Sequence, residues 1–298
     1  MMVASHRLFS RGYTVTTYQD ALHQLASWFP DHQFKKRSLL KAEQLASYDL
    51  IVLQNDNSPL ANSIIDLYKQ GKLPNLSVFY SSYEKEKHAS LTSWDRIFDR
   101  SRPMVTNIAA AIASLLQCTQ ISKNNGLIIP SGLKQSRHPK RVIMHPTSTT
   151  PTRTWNSKKF IQVANSLSSK GYEITFSVSP DEHPTWIPLV ESRFHLPLFP
   201  SLSELAAYLY ESAFLIGNES GTGHLASNLH IPTLIIASCP KQMALWRPGW
   251  FMGKVITPYR YIPNFKGSRW RKKNWQTFIS PRRVIHTFQF MQMRQRFK

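Results

Sequence analysis

The sequence is short of acid, of cysteine and of long apolar runs. Only 17 of its 298 residues are Asp or Glu against 37 Lys or Arg, which leaves a formal net charge of +20. Charged residues make up 18% and apolar ones 42%, so the excess comes from missing acids, and the composition excludes a disordered or low-complexity chain. Two cysteines, Cys118 and Cys239, supply neither a disulfide framework nor a zinc site, which usually needs about four clustered ligands. Both read as reduced structural thiols, and no metal cofactor is expected. No stretch approaches the roughly 20 apolar residues of a membrane span. The opening MMVASHRLFSRGYTV lacks the apolar core of a secretory signal, so the expectation is a cytoplasmic chain that meets a membrane, if at all, from its surface. A charge of this size suits nucleic acid, anionic lipid or a polyanionic small substrate.

What is present is a βα rhythm. In the first half, Met2 to Arg11 reads as a helix stopped by Gly12, YTVTTY as a strand, and Ala21 to Phe29 as a helix closed by Pro30. DLIVLQ is a buried strand, Ser58 to Gly71 a helix, LSVFYSS a strand and Val105 to Leu116 a helix. A polar, basic stretch from Ser131 to Lys140 reads as a linker. The second half repeats the rhythm: strand RVIMH, helix Ser157 to Lys170 with Asn156 as its cap and Gly171 as its stop, strand YEITFSV, helix SLSELAAYLYES, strand AFLIGN, a helix around His224 to Leu229, strand PTLIIAS and a helix from Pro281. The pattern predicts two α/β domains with parallel sheets and a cleft between them. In a doubly wound sheet the first strand is central and its turn faces the ligand. Here the first element is the helix that would follow that strand.

Two segments carry chemistry. In IGNESGTGHLA a buried strand runs through a polar turn, Asn218 to Gly223, into a helix, an arrangement that aims backbone N–H groups and a positive helix end at a phosphate. Gly221 and Gly223 let the backbone approach a ligand, Ser220 and Thr222 add hydroxyls, and Glu219 can accept hydrogen bonds from a sugar. The same pattern fits an ordinary βα turn, and His224 fits a satisfied structural histidine as well as a ligand contact. In HPTSTTPTRTW the loop with Thr147, Ser148, Thr149, Thr150 and Arg153 follows a parallel strand, where ligands of open α/β sheets bind. An arginine there can clamp a diphosphate through paired hydrogen bonds; a solvated Thr-rich loop is the alternative.

The motifs HPTSTTPTRTW, FSVSPDE and GNESGTGHLA, in this order and spacing, resemble glycosyltransferase family 9, the bacterial ADP-heptose:lipopolysaccharide heptosyltransferases. The resemblance runs over about Arg141 to Pro248, continues more weakly in SPRRVIHTF, and is diffuse in the first half. It implies a GT-B architecture of two Rossmann-like domains facing a cleft. These would be an acceptor-side domain over 1–137 that lacks its first strand and a nucleotide-sugar-binding domain over 138–298. It also implies that Thr147 and Ser148 line the diphosphate loop, that Arg153 stands where the family usually has a lysine on the donor phosphates, and that Glu182 holds the acidic ribose position. Glu219 replaces the usual aspartate, and Ser220, Gly221, Thr222 and His224 match sugar- and phosphate-contacting positions.

The implied reaction is sugar transfer with inversion from an ADP-heptose-like donor to a lipopolysaccharide-core or related lipid-linked acceptor, without a metal. The family's Gly-rich turn with its aspartate, the presumed general base, would precede Met1; Asp20 and Asp56 follow strands and are substitutes for it or else turn carboxylates. A catalytically inactive member that binds nucleotide-sugar or anionic glycolipid is the alternative. The basic clusters KKR at Lys35 to Arg37, GSRWRKKNW at Gly267 to Trp275 and RQRFK at the end suit a phosphorylated lipid and an anionic membrane surface, here the inner face of a bacterial inner membrane, with tryptophan at the headgroups. No recognised nucleic-acid motif accompanies them, which disfavours a basic RNA-associated protein.

Overall fold

The βα rhythm folds, in the computed structural model, into two α/β units, Met1–Pro130 and Ser131–Lys298. The residues described are 1–86, 88, 90–190, 192–259, 261–262 and 270–296. The first unit runs α1 (Met2–Phe9), β1 (Thr16–Tyr18), β2 (Gln33–Lys35), β3 (Ile51–Asn55), α2 (Pro59–Lys69), β4 (Leu76–Tyr80), β5 (Arg96–Ile97) and α3 (Met104–Leu115). Its strands form two parallel sheets, β1-β2 and β3-β4-β5. Among the described residues no ladder joins β1 to β3. In a doubly wound sheet the leading strand lies between two such groups.

The local reasons are ordinary ones. Ser58 caps α2 by accepting from Ala61 N, Pro59 occupies the first turn, and Gly71 takes φ +73° to end it. Ile51, Ile64, Leu73, Leu76 and Val78 then close the core of this unit. The segment expected as a helix over Ala21 to Phe29 is a 3₁₀ helix, Leu22–Trp28, broken at Leu25. Its two buried residues, Leu25 and Trp28, are three apart, the spacing that a 3₁₀ turn stacks on one face.

The second unit runs β6 (His138–His145), α4 (Ser157–Ser168), β7 (Glu173–Phe176), α5 (His183–Val190), α6 (Leu202–Tyr210), β8 (Ser212–Asn218), α7 (Gly221–Asn228), β9 (Thr233–Ile236), α8 (Pro240–Trp246), β10 (Gly253–Ile256), α9 (Trp270–Lys273) and α10 (Pro281–Arg296). All five strands are parallel, in the order β10-β9-β8-β6-β7. β8 is buried along its whole length, as a strand covered on both faces must be. Phe160, Val163 and Leu167 of α4 and Val284, Phe288 and Met291 of α10 share the core with Val142, Phe214 and Ile216. β6 extends back to His138, into the stretch expected as linker, with a register irregularity between His138 and Val142. Strands β2, β5 and β10 had no sequence signal. Each is a short edge strand, and edges are kept short and polar.

At the carboxyl ends of β6 and β8 the two backbones come very close. A Cβ on Gly217 would lie 2.8 Å from the carbonyl oxygen of His145 and 3.0 Å from its Cβ. Because the obstacle is backbone, Gly217→Ala is expected to cost about 1–3 kcal/mol, read as a lower urea midpoint with an unchanged denaturant slope.

Candidate active site

The chain enters the second sheet at β6, steps to β7 on one side, and returns to lay β8 on the other. That reversal puts the topological switch point between β6 and β8, where an open α/β sheet binds its ligand. Both chemistry-bearing segments emerge there. Asn218, fully buried at the end of β8, donates its amide to Pro146 O at 2.5 Å and accepts from Trp155 N at 3.0 Å, so one side chain holds both ends of the loop after β6. Ser148 Oγ donates to Glu219 O at 3.2 Å. Arg153 Nη1 stands 3.6 Å from Glu219 Oε1, which also accepts from Gln242 Nε2 at 3.2 Å.

A second set of contacts ties the Arg153 loop to the C-terminal segment. Trp275 Nε1 donates to Thr152 O, Gln276 Nε2 to Thr154 O, and Trp155 Nε1 to Gln276 O. Lys159 Nζ, on α4, donates to Gln276 O at 2.6 Å and to Ile279 O at 3.0 Å, and burial lowers its pKa. Trp275 was expected at a membrane interface; it is 2% exposed, because its indole packs into the core and its N–H is taken by Thr152. Gly267, Ser268 and Arg269 of the same cluster, and Phe297 and Lys298 of the closing run, lie outside the described residues.

The remaining expected donor residues fall as follows. Ser220 is the N-cap of α7, yet its hydroxyl makes no capping bond and is buried without a partner in the structure. A Cβ on Gly221 would meet nothing within 4 Å, so open space lies in front of the helix end. Gly223 faces the other way, where a Cβ would sit 2.8 Å from Ile235 Cδ1, so its missing side chain serves the packing of α7 on β9. Thr147 is buried in the loop after β6, and Thr222 is half-buried on α7. Glu182 lies beyond the carboxyl end of β7 and accepts from Ser179 N and Oγ. His224 is lowered in pKa by burial and donates to the carbonyl of Trp246. One of its ring nitrogens is thus committed to α8. His145, at the end of β6, has its pKa lowered by burial and hydrogen-bonds Ser177 O through Nδ1.

The two candidate bases belong to the first unit. Asp20, beyond β1, accepts from Ser38 Oγ at 2.6 Å and Ser38 N at 3.0 Å, and these bonds lower its pKa. Asp56, beyond β3, is paired with Arg37 at 2.8 Å and accepts from Ser58 N. Burial alone would raise its pKa; the bonds from Arg37 and Ser58 outweigh that and bring it to about 2. A carboxylate whose pKa is lowered is a weaker proton acceptor. Neither has the environment of a general base. Among the described residues no group of three or more His, Cys, Asp or Glu is gathered as a metal would require.

With this geometry in place, residues 56–247 match the family model for glycosyltransferase family 9 (heptosyltransferase). The chain belongs to glycosyltransferase family 9. Its α/β fold is that of GT-B glycosyltransferases. It is similar to a family 9 glycosyltransferase from Veillonella parvula at 17% identity and a TM-score of 0.65, covering 98% of this chain and 93% of that one. It is also similar to the E. coli ADP-heptose lipopolysaccharide heptosyltransferase II at 14% identity and 0.67, over 99% and 95% of the two chains. The E. coli heptosyltransferase WaaC with ADP follows at 13% identity and 0.59, over 97% and 92%. No curated protein matches the sequence significantly.

Asn218, Gln242, Lys159 and Gln276 were not among the residues expected to form the site. Asn218 was legible as the polar end of an apolar strand; the others act across the fold and leave no local signal. Of the expected residues, Glu219 is under the most strain. Burial raises its pKa, and the charge of Arg153 only partly opposes this. The penalty on its ionised form sets in as pH rises above the ordinary carboxylate value of 4.5 and is complete above the raised folded value. Glu219→Gln is therefore expected to raise Tm at neutral pH, with the gain shrinking as the pH falls through the raised folded value and gone below 4.5.

Proposed function

We propose that this family 9 chain transfers a heptose-like sugar from an ADP-type nucleotide donor to a phosphorylated, lipid-linked acceptor of the lipopolysaccharide-core kind, with inversion, at the inner face of a bacterial inner membrane. In this reading the second unit holds the donor and the first unit the acceptor. The observation that carries it is the buried hydroxyl of Ser220, unpartnered at the amino end of α7 and next in the chain to Glu219, the partner of Arg153. An orphaned buried donor costs about 1–3 kcal/mol, a cost that a bound diphosphate oxygen removes. The names of two similar proteins, one acting on ADP-heptose and one with ADP, support the same donor class.

Mechanistically, the leaving diphosphate gathers negative charge as the sugar departs. Arg153, the Ser148 and Ser220 hydroxyls and the first N–H groups of α7 meet that charge, in the role a metal ion plays elsewhere. The Arg153–Glu219 contact of 3.6 Å is loose, so the guanidinium can turn to phosphate while Glu219 accepts from sugar hydroxyls. Glu182 takes the ribose. The acceptor hydroxyl must lose a proton as it attacks. A second reading, a donor- or glycolipid-binding relative without transfer, is favoured by one observation: Asp20 and Asp56 are both spent on turns.

Calorimetric titration with an ADP-sugar donor tests the site. Arg153→Ala and Glu219→Ala are each expected to weaken binding, Arg153→Ala by about 10–100-fold, the worth of a charge-assisted contact. Unchanged affinity in both would overturn the donor assignment, and donor binding without sugar transfer to any phosphorylated lipid acceptor would select the second reading.

A further inference from the structure

From Gln33 to Ala42 the sequence QFKKRSLLKA holds four cations and no acid. The middle of this segment is one 3₁₀ turn, Arg37–Leu39, and it is pinned from both sides. Arg37 Nη1 is bonded to Asp56 at 2.8 Å and Nη2 to Ser58 Oγ at 2.5 Å. Ser38 donates twice to Asp20. The two leucines then divide. Leu40 packs against the core around Ile51, Ile64 and Leu76, while Leu39 is 73% exposed, exceeded among the described large apolar residues only by Tyr261 at 79%.

Around Leu39 the side chains of Lys35, Lys36 and Lys41 are all exposed and form no ion pair among the described residues. Of the two carboxylates that brace the turn, Asp56 is paired with Arg37, while Asp20 is bonded to the neutral Ser38 and its charge acts on Arg37 and Lys36, so four cations face two acids. The first acid further along the chain is Glu43. A leucine held out on a braced turn, flanked in sequence by three exposed lysines that form no ion pair among the described residues, is complementary to a surface that is anionic outside and apolar just beneath.

We infer that this turn is a membrane-insertion tip: Leu39 enters the interface of an anionic phospholipid bilayer while Lys35, Lys36 and Lys41 lie among its headgroups. The inference deepens the membrane setting proposed above, and it concerns the first unit only. Because Arg37 and Ser38 already fix the turn, little ordering is needed when it docks. Each lysine near an anionic surface strengthens partitioning about fivefold. The three lysines together thus contribute about a hundredfold, and the buried leucine tenfold or more.

The test is co-sedimentation of the full chain with vesicles of phosphatidylcholine alone or mixed with phosphatidylglycerol. The wild type is expected to partition onto the mixed vesicles and not onto phosphatidylcholine, and to lose partitioning as salt rises. Leu39→Ser is expected to lower the partition coefficient about tenfold and the triple variant Lys35→Gln, Lys36→Gln, Lys41→Gln about a hundredfold. Leu198→Ser, an equally conservative change at a 57% exposed leucine of the second unit, should leave it unchanged. Tm and ADP affinity of every variant should match the wild type, which separates this inference from the donor site: failure of the vesicle experiment leaves ADP binding intact, and the reverse. Equal binding by wild type and both tip variants overturns the inference, as does equal binding to the two vesicle types. A loss confined to vesicles carrying a phosphorylated glycolipid also overturns it, since the lysines would then read the acceptor and not the bilayer.

Discussion

The side-chain amide of Asn218 joins the two loops on which the candidate site rests. It sits at the end of a strand with no exposed residue, so both of its bonds are made away from water, where they cannot be replaced by solvent. Through one bond it sets where the loop leaves β6, and through the other where that loop turns into α4. Everything placed by the loop depends on this. Arg153 reaches Glu219, and Ser148 reaches the backbone of the turn, only because the loop is held at both ends. Gly217, one residue earlier, lets β8 approach β6 closely enough for the amide to span the gap.

The site is therefore stiff, and its cost is carried elsewhere. A desolvated Glu219 and an unpartnered Ser220 hydroxyl both weigh against the folded state. The burial of Phe214, Leu215 and Ile216 of β8 and of Leu234 and Ile236 of β9, all fully buried, offsets that cost at about 1.5–3 kcal/mol each. A binding site that is uncomfortable while empty gains on binding what it forfeits in stability.

Much of this was legible in the sequence because it is local. Strand AFLIGN, the turn after it, the Thr-rich loop and the capping Asn156 are each written in consecutive residues, and the glycines that end α2 and α4, Gly71 and Gly171, take the left-handed φ that such stops require. The polar edge strands β2 and β10 were not legible, since neither alternates clearly enough to show a period. Nor was the true place of Trp275, which reads as interfacial beside its lysines and is in fact core. The roles of Asp20 and Asp56 were open in the sequence because a carboxylate after a strand looks the same whether it waits for a proton or braces a turn. Only the partners, Ser38 and Arg37, distinguish the two.

The bonds from Trp275, Gln276 and Lys159 link residues 123, 122 and 117 positions apart. Contacts of such separation are entropically the dearest to close and form late. On a ribosome, the strands β6 and β8 that flank the Arg153 loop emerge before the segment that fastens it. The sheet can assemble while the loop still lacks its brace, and the loop is fastened only once Trp275 and Gln276 are available to bond it. The order of synthesis thus separates the making of the sheet from the fastening of the loop that carries Arg153.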